Sequence, residues 1–215
     1  MSSTRLPGKV LMLLNGKVVL EHVLERAQMI EGVDEVVLAV PQREDTTLLK
    51  AVARKLDVRT VEGPLENVLE RYAIAAVKSK ADVIVRITSD CPLLDPVVSS
   101  AVVKLRRQNG AKYASNVHPR SWPKGLDTEV FTSAALVEAY RDATDQHDRE
   151  HVTPYIVRNS PRLNYPSHRF DLSEIRWTLD TPEDLRHLRA LCDGRVDAMS
   201  WVDNLQREWS LNDAA

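Results

Sequence analysis

Two short runs rich in β-branched side chains, Val36-Val37-Leu38-Ala39-Val40 and Val83-Ile84-Val85-Arg86-Ile87, constrain this chain more than any other feature. Each is mostly apolar rather than alternating, the pattern of a strand covered on both faces in a parallel sheet. Helical stripes lie between and after them: Val19, Val23, Ala27 and Ile30; Leu65, Leu69, Tyr72 and Ala76; Val98, Ala101, Val102 and Leu105. A weaker strand, Val58 to Val61, precedes the second stripe. Strand and helix alternate to about residue 107, which argues a right-handed βαβ wind with helices on both faces. The 215 residues suit one domain, 1–215, that buries about 70% of its unfolded surface.

Beyond residue 107 the rhythm changes. Residues 111–132 read as two strands around a loop carrying Pro119 and Pro123, an antiparallel or mixed insertion. Helices are expected over 133–142 and 146–159, then a strand at Arg176-Trp177-Thr178-Leu179, then helices from Pro182 and Ser200. Asp95-Pro96 and Thr181-Pro182 each set a capping side chain before a proline at the first helical position. Thr181 and Asp184 add a box-like spacing. With capping duty assigned to Asp95 and Thr181, Asp90 and Asp180 stand at strand ends without a structural task.

Several function classes are excluded at this level. The formal charge is −2, which gives no field for nucleic acid, and the two cysteines cannot form a disulfide framework. No apolar run approaches the ~20 residues of a membrane helix, so a cytoplasmic protein is expected. The seven scattered glycines spell no G-x-G-x-x-G, and at Gly8-Lys9 the Walker pattern fails because Ser3 holds its first glycine position. Two carboxylates at strand ends, Asp90 and Asp180, suit a hard cation such as magnesium, unless each is a solvated loop residue. Ser2-Ser3-Thr4-Arg5-Leu6-Pro7-Gly8-Lys9 holds the hydroxyls, guanidinium and ammonium that a triphosphate needs, or is a plain polar terminus.

Five ordered segments, STRLPGKVL, VRITSDCPLLDP, GLDTEVF, DREHVTPYI and RWTLDTPEDL, resemble the spore coat polysaccharide biosynthesis protein F type of cytidylyltransferase-like family. CMP-Kdo and CMP-sialate synthetases are more distant kin. The resemblance implies an α/β fold, a three-layer nucleotide-diphosphosugar-transferase (Rossmann-like) mixed sheet with a small β insertion or dimer arm, in a homodimer. It implies that a sugar hydroxyl attacks the α-phosphorus of CTP, giving a CMP-sugar and pyrophosphate for surface polysaccharide synthesis. By position, Arg5 and Lys9 match the triphosphate-binding cations, Ser3 and Thr4 the loop donors, and Asp90 and Asp180 the Mg2+ ligands. Lys9, Arg5 and Asp90 would carry catalysis, and Arg86 would approach the nucleotide.

The family pattern also has a strand ending in Gln-Ala-Arg just before the residue matching Met1, lying between the strands at 36–40 and 83–87. Three expectations follow: the natural chain starts earlier; or Val10-Leu11-Met12-Leu13-Leu14, closed by an Asn15-Gly16 turn, slides into that slot and draws Arg5 and Lys9 away; or a partner chain donates the strand. Ser89 stands where the family has glycine, so a side chain crowds the nucleotide there.

Other readings compete for the same residues. His147-Asp148-Arg149-Glu150-His151 matches the H-x-x-E-H zinc pattern, although Pro154 interrupts the helix and no third ligand stands out. Arg149, Glu150 and His151 serve equally as contacts to a sugar carboxylate or hydroxyls, or as a salt-bridged or dimer surface. His22 and His187 read as surface residues, and Cys91 as a small packed residue rather than a nucleophile. Trp122 and Tyr113, with Pro119 and Pro123, suit a dimer arm. A metal-dependent glycosyltransferase of related fold normally shows Asp-x-Asp, where Thr88-Ser89-Asp90 has one carboxylate. A degenerate, non-catalytic binding or scaffold protein is the third class.

Overall fold

A computed structural model of the chain describes residues 6–43, 46–167, 170–192 and 200–213. Gly8, at φ 71°, turns the chain into one 3-10 turn over Lys9–Leu11. Asn15 and Gly16, both at positive φ, then close a hairpin between β1 (Leu13–Leu14) and β2 (Lys17–Val18), the conformation an Asn-Gly pair favours. The run Val10–Leu14 therefore sits in this arm and in neither of the larger sheets. Helix α1 (Val19–Gln28) follows and buries Val19, Val23 and Ala27. His22, expected at the surface, is buried instead, its Nε2 2.7 Å from the Leu14 carbonyl at the hairpin turn.

Strands β3 (Val37–Pro41) and β4 (Arg59–Gly63) pair in parallel, with α2 (Thr47–Lys55) as the crossover. Helix α3 (Val68–Ser79) begins where Asn67 Oδ1 accepts the Glu70 N–H at 3.0 Å, and it packs on β3 and β4. A second sheet is mixed, in the order β5 (Val83–Arg86), β7 (Glu129–Thr132), β6 (Tyr113–Ser115), β8 (Arg162–Asn164). Only the β6–β8 pair is parallel. The stretch 111–132, read as an insertion, thus places both its strands inside this sheet. Tyr113 is fully buried, and Trp122 is buried edge-on against Trp201 with centroids 4.9 Å apart, so both are internal packing residues rather than members of an arm.

Among the described residues, β3 and β5 each pair along one edge only, so two sheets stand where one was expected. Exposure follows directly: Val83 keeps 37% of its surface in solvent and Val37 to Ala39 are half-buried, although the sequence pattern implied cover on both faces. The two sheets still share a core, because Val36 packs both with the cluster of Val102 and Val130 and with that of Leu20 and Val40.

The remaining helices close the layers. Asp95 caps α4 (Pro96–Asn109), Oδ1 accepting from the Val97 and Val98 amides at 2.8 and 3.2 Å. Its Oδ2 accepts from Trp201 N at 2.8 Å, so one carboxylate starts both α4 and the last helix, α9 (Trp201–Asp213). Helix α5 (Ser133–Asp142) agrees with its expected span. The single helix read over 146–159 is two, α6 (Gln146–His151) and α7 (Pro154–Asn159), broken at Val152, which has φ 72°. Helix α8 (Pro182–Cys192) opens with the Thr181–Asp184 capping box, in which each side chain accepts the other's backbone N–H.

Residues 175–179 run extended and make an isolated bridge rather than a full strand. Lys124 N donates to Ile175 O at 2.8 Å and Trp177 N to Lys124 O at 2.7 Å, which buries Trp177 completely. Gly125 makes this approach possible: at φ 119°, a Cβ there would lie 2.8 Å from the Trp177 carbonyl carbon and oxygen. Gly125→Ala is therefore expected to destabilise the fold by at least ~2 kcal/mol through strain and displaced backbone. A urea midpoint equal to that of the unaltered protein would contradict this close approach.

Candidate active site

The extended segment that buries Trp177 also builds the site. Leu179 N donates to Asp90 O at 2.9 Å, so the chain just beyond β5 and the residues before Asp180 lie side by side. The two aspartates, 90 residues apart in sequence, consequently converge. The Lys9 ammonium lies between them, 2.7 Å from Asp90 Oδ2 and 2.7 Å from Asp180 Oδ1. All three side chains are largely withdrawn from water, at 16% exposure for Lys9, 24% for Asp90 and 14% for Asp180. Burial alone would lower the Lys9 pKa, but the charges of Asp90 and Asp180 outweigh it, so the ammonium is held above its ordinary value. Lys9 is positioned by its 3-10 turn, whose Leu6, Gly8 and Lys9 carbonyls accept from the Lys9, Leu11 and Met12 amides.

Behind Asp180 stands a support that the sequence reading missed. Arg176 hydrogen-bonds Asp180 Oδ2 and, through Nε, Asp184 Oδ1 at 3.0 Å. Asp184 Oδ2 accepts the Asp180 and Thr181 amides at 2.7 and 2.9 Å. Burial pushes the Asp184 carboxyl up, yet Arg176 and those amides overcome it and hold the pKa low. Arg176 and Asp180 lie only four residues apart, so opposite charge at short range was the signal available in the sequence. Each carboxylate of this cluster is thus fixed on one side before any ligand arrives.

Other expected site residues fall elsewhere. Arg86 is turned to Glu129, with Nη1 2.6 Å from Oε2, and Tyr113 donates to Glu129 Oε1 at 2.6 Å. Burial pushes the Tyr113 hydroxyl well up, so it stays a neutral donor. Arg149 donates to the Ala143 carbonyl at 2.8 Å, and His151 lies against His147 with ring centroids 4.4 Å apart. Glu150 alone of that trio lines a cavity of about 340 Å³, with Glu66, Leu49, Leu65 and Arg71. Ser3, Thr4 and Arg5 lie outside the described residues. Cys91, fully buried, has its thiol pushed well up by burial, which suits a packed residue and not a nucleophile.

The donor set at Asp90 and Asp180, two hard carboxylates that share the Lys9 ammonium, is of the type that would hold a magnesium ion once Lys9 moved aside, with the remaining positions left to phosphate oxygens and water. Among the described residues no group of three or more His, Cys, Asp or Glu is placed to hold a metal, so the H-x-x-E-H segment lacks a third zinc ligand there. Among them too, no helix is long and apolar enough to cross a membrane.

This mixed α/β frame is shared with nucleotidyltransferases of the Rossmann-like nucleotide-sugar transferase fold. The structure of a CMP:2-keto-3-deoxy-manno-octonic acid synthetase complexed with CTP superimposes with a TM-score of 0.68 over 89% of this chain and 94% of that one, at 17% identity, a likeness of fold. A cytidylyltransferase from Leptospira borgpetersenii matches more fully, with a TM-score of 0.91 and 28% identity over 99% of this chain and 92% of the other. The spore coat polysaccharide biosynthesis protein SpsF of Bacillus subtilis is 32% identical over 201 residues, 89% of this chain and 82% of SpsF. The family model described as cytidylyltransferase matches residues 1–201, and the chain belongs to that family.

Proposed function

We propose that this chain transfers the cytidylyl group of CTP to a hydroxyl of an acidic or amino sugar, forming the new sugar O–Pα bond, breaking the Pα–O bond to the β-phosphate, releasing pyrophosphate and losing the hydroxyl proton to water, in the synthesis of a surface polysaccharide. The observation that carries this is the meeting of Asp90 and Asp180 around one cation position, filled by the Lys9 ammonium. Asp90 and Asp180 would hold Mg2+, which when bound supplies charge neutralisation at the triphosphate. Lys9, with Arg5, Ser3 and Thr4 of the opening segment, would bind phosphate oxygens. At an effective dielectric of 20, unit charges ~4 Å apart interact by ~4 kcal/mol, so an anionic sugar meeting a triphosphate needs that cationic compensation. Arg176 would keep the Asp180 carboxylate aimed, a positioning role.

For the sugar, Glu150 and Arg71 face the same cavity beyond the ends of β3 and β4. Arg71 donates to the Pro64 carbonyl, and its guanidinium is the group in that lining that a sugar carboxylate would meet. The break between the two sheets favours one second reading, a CTP-binding homologue without turnover. One assay separates the two: the protein with Mg2+, each nucleoside triphosphate and a panel of ulosonic, nonulosonic and amino sugars, followed by pyrophosphate release. Release with CTP at least ten times that with UTP, ATP or GTP is expected for one or more sugars. CTP binding without release supports the second reading, and no CTP binding overturns both.

A further inference from the structure

The two carboxylate oxygens best placed for a metal are not free to take one. Lys9 Nζ is within hydrogen-bond distance of both at once, and the outer oxygen of Asp180 is committed to Arg176. A magnesium ion would bind the same oxygens at about 2.0–2.1 Å, inside the space the ammonium fills, so ion and ammonium exclude each other there. Expelling Lys9 would leave a largely buried ammonium without a counter-charge, which is costly unless another anion is offered.

We propose that Lys9 is an internal counter-cation that makes metal entry conditional on nucleotide: the divalent ion is accepted together with the triphosphate, because the triphosphate gives Lys9 a new anionic partner. The idea rests on the metal-site reading above and adds an order of events to it. Linkage makes the coupling reciprocal, so nucleotide tightens metal and metal tightens nucleotide by the same factor, about 5- to 150-fold in typical cases. Arg176 strengthens the effect, since it keeps Asp180 from rotating its second oxygen toward an incoming ion. Lys50, paired with Glu62 at 2.6 Å on an exposed face, serves as a control for a general change of charge.

The test is Mn2+ binding, read from the free-ion electron paramagnetic resonance signal, with and without α,β-methylene-CTP and corrected for the Mn2+–nucleotide complex. The unaltered chain is expected to bind Mn2+ at least ten times more tightly with the nucleotide analogue than alone. Lys9→Met, or Lys9→Gln if the first variant does not fold by circular dichroism, is expected to bind Mn2+ alone at least ten times more tightly than the unaltered chain. Lys50→Met should stay within twofold of it. If the analogue-dependent site is present and lost in Asp90→Asn, but both Lys9 variants bind Mn2+ alone no better, the gating role fails while the metal site stands. If Asp90→Asn changes Mn2+ binding in neither condition, the metal site itself fails and the gating role with it.

Discussion

Asp90→Asn is expected to lower cytidylyl transfer at least ~10³-fold, the loss of about 4 kcal/mol of transition-state stabilisation, while the protein stays folded. The size follows from position. Asp90 supplies one of the two carboxylates that converge on the cation point among the described residues, and an amide there keeps the shape but carries no charge. The fold is spared because the structural contact of residue 90 is its backbone carbonyl, which accepts from Leu179 N in either case. Lys9 keeps Asp180 as a partner, so its ammonium is not left without a counter-charge. The measurement is pyrophosphate release beside a thermal melt. Turnover within tenfold of the unaltered enzyme would remove Asp90 from the mechanism.

Glu129→Gln is expected to act in the opposite manner, on stability first, with a loss of about 3–5 kcal/mol. Glu129 is buried between two partners, accepting from Arg86 on one oxygen and from Tyr113 on the other. Burial would lower the Arg86 pKa, but nearby Tyr72 and the Glu129 carboxylate overcome it and hold it up. Removing the carboxylate charge strands that guanidinium, whose Nε already has no partner. Against a typical margin of ~5–15 kcal/mol, the urea midpoint should fall sharply. Replacing both members, Arg86→Met with Glu129→Leu, should recover much of the loss, since no buried charge is then left over. A single variant within ~1 kcal/mol of the unaltered protein would contradict the buried-pair account.

Much of the chain was legible because its signals are local. Asp95-Pro96, Thr181-Pro182 and Asn15-Gly16 each fix a backbone conformation within a few residues, and all three behave as their chemistry dictates. Helix α2 was missed because Thr46 offers no side-chain cap and no proline marks its start. Strand β8, three residues long, is too short for a period to show. His22 looked exposed on a helical wheel, but the carbonyl that buries it belongs to a hairpin eight residues earlier, a contact no periodicity encodes.

The site divides in the same way. That Asp90 and Asp180 follow apolar extended runs could be read from the residues before them, but their meeting depends on the hydrogen bond from Leu179 N to Asp90 O, which is a long-range contact. The strand position of Arg86 could be read from the sequence, but its pairing with Glu129 on β7 could not, because antiparallel register alone brings the two together. The half-covered faces of β3 and β5 have the same origin, since composition records an apolar strand and not how many neighbours it has.

The most direct measurement is a crystal structure of the protein with α,β-methylene-CTP and Mn2+, with anomalous differences collected to locate the ion. A single strong peak is expected within coordinating distance of both Asp90 and Asp180, with the Lys9 ammonium moved onto a phosphate oxygen. A peak remote from either aspartate, with Lys9 still bridging the pair, would contradict that placement.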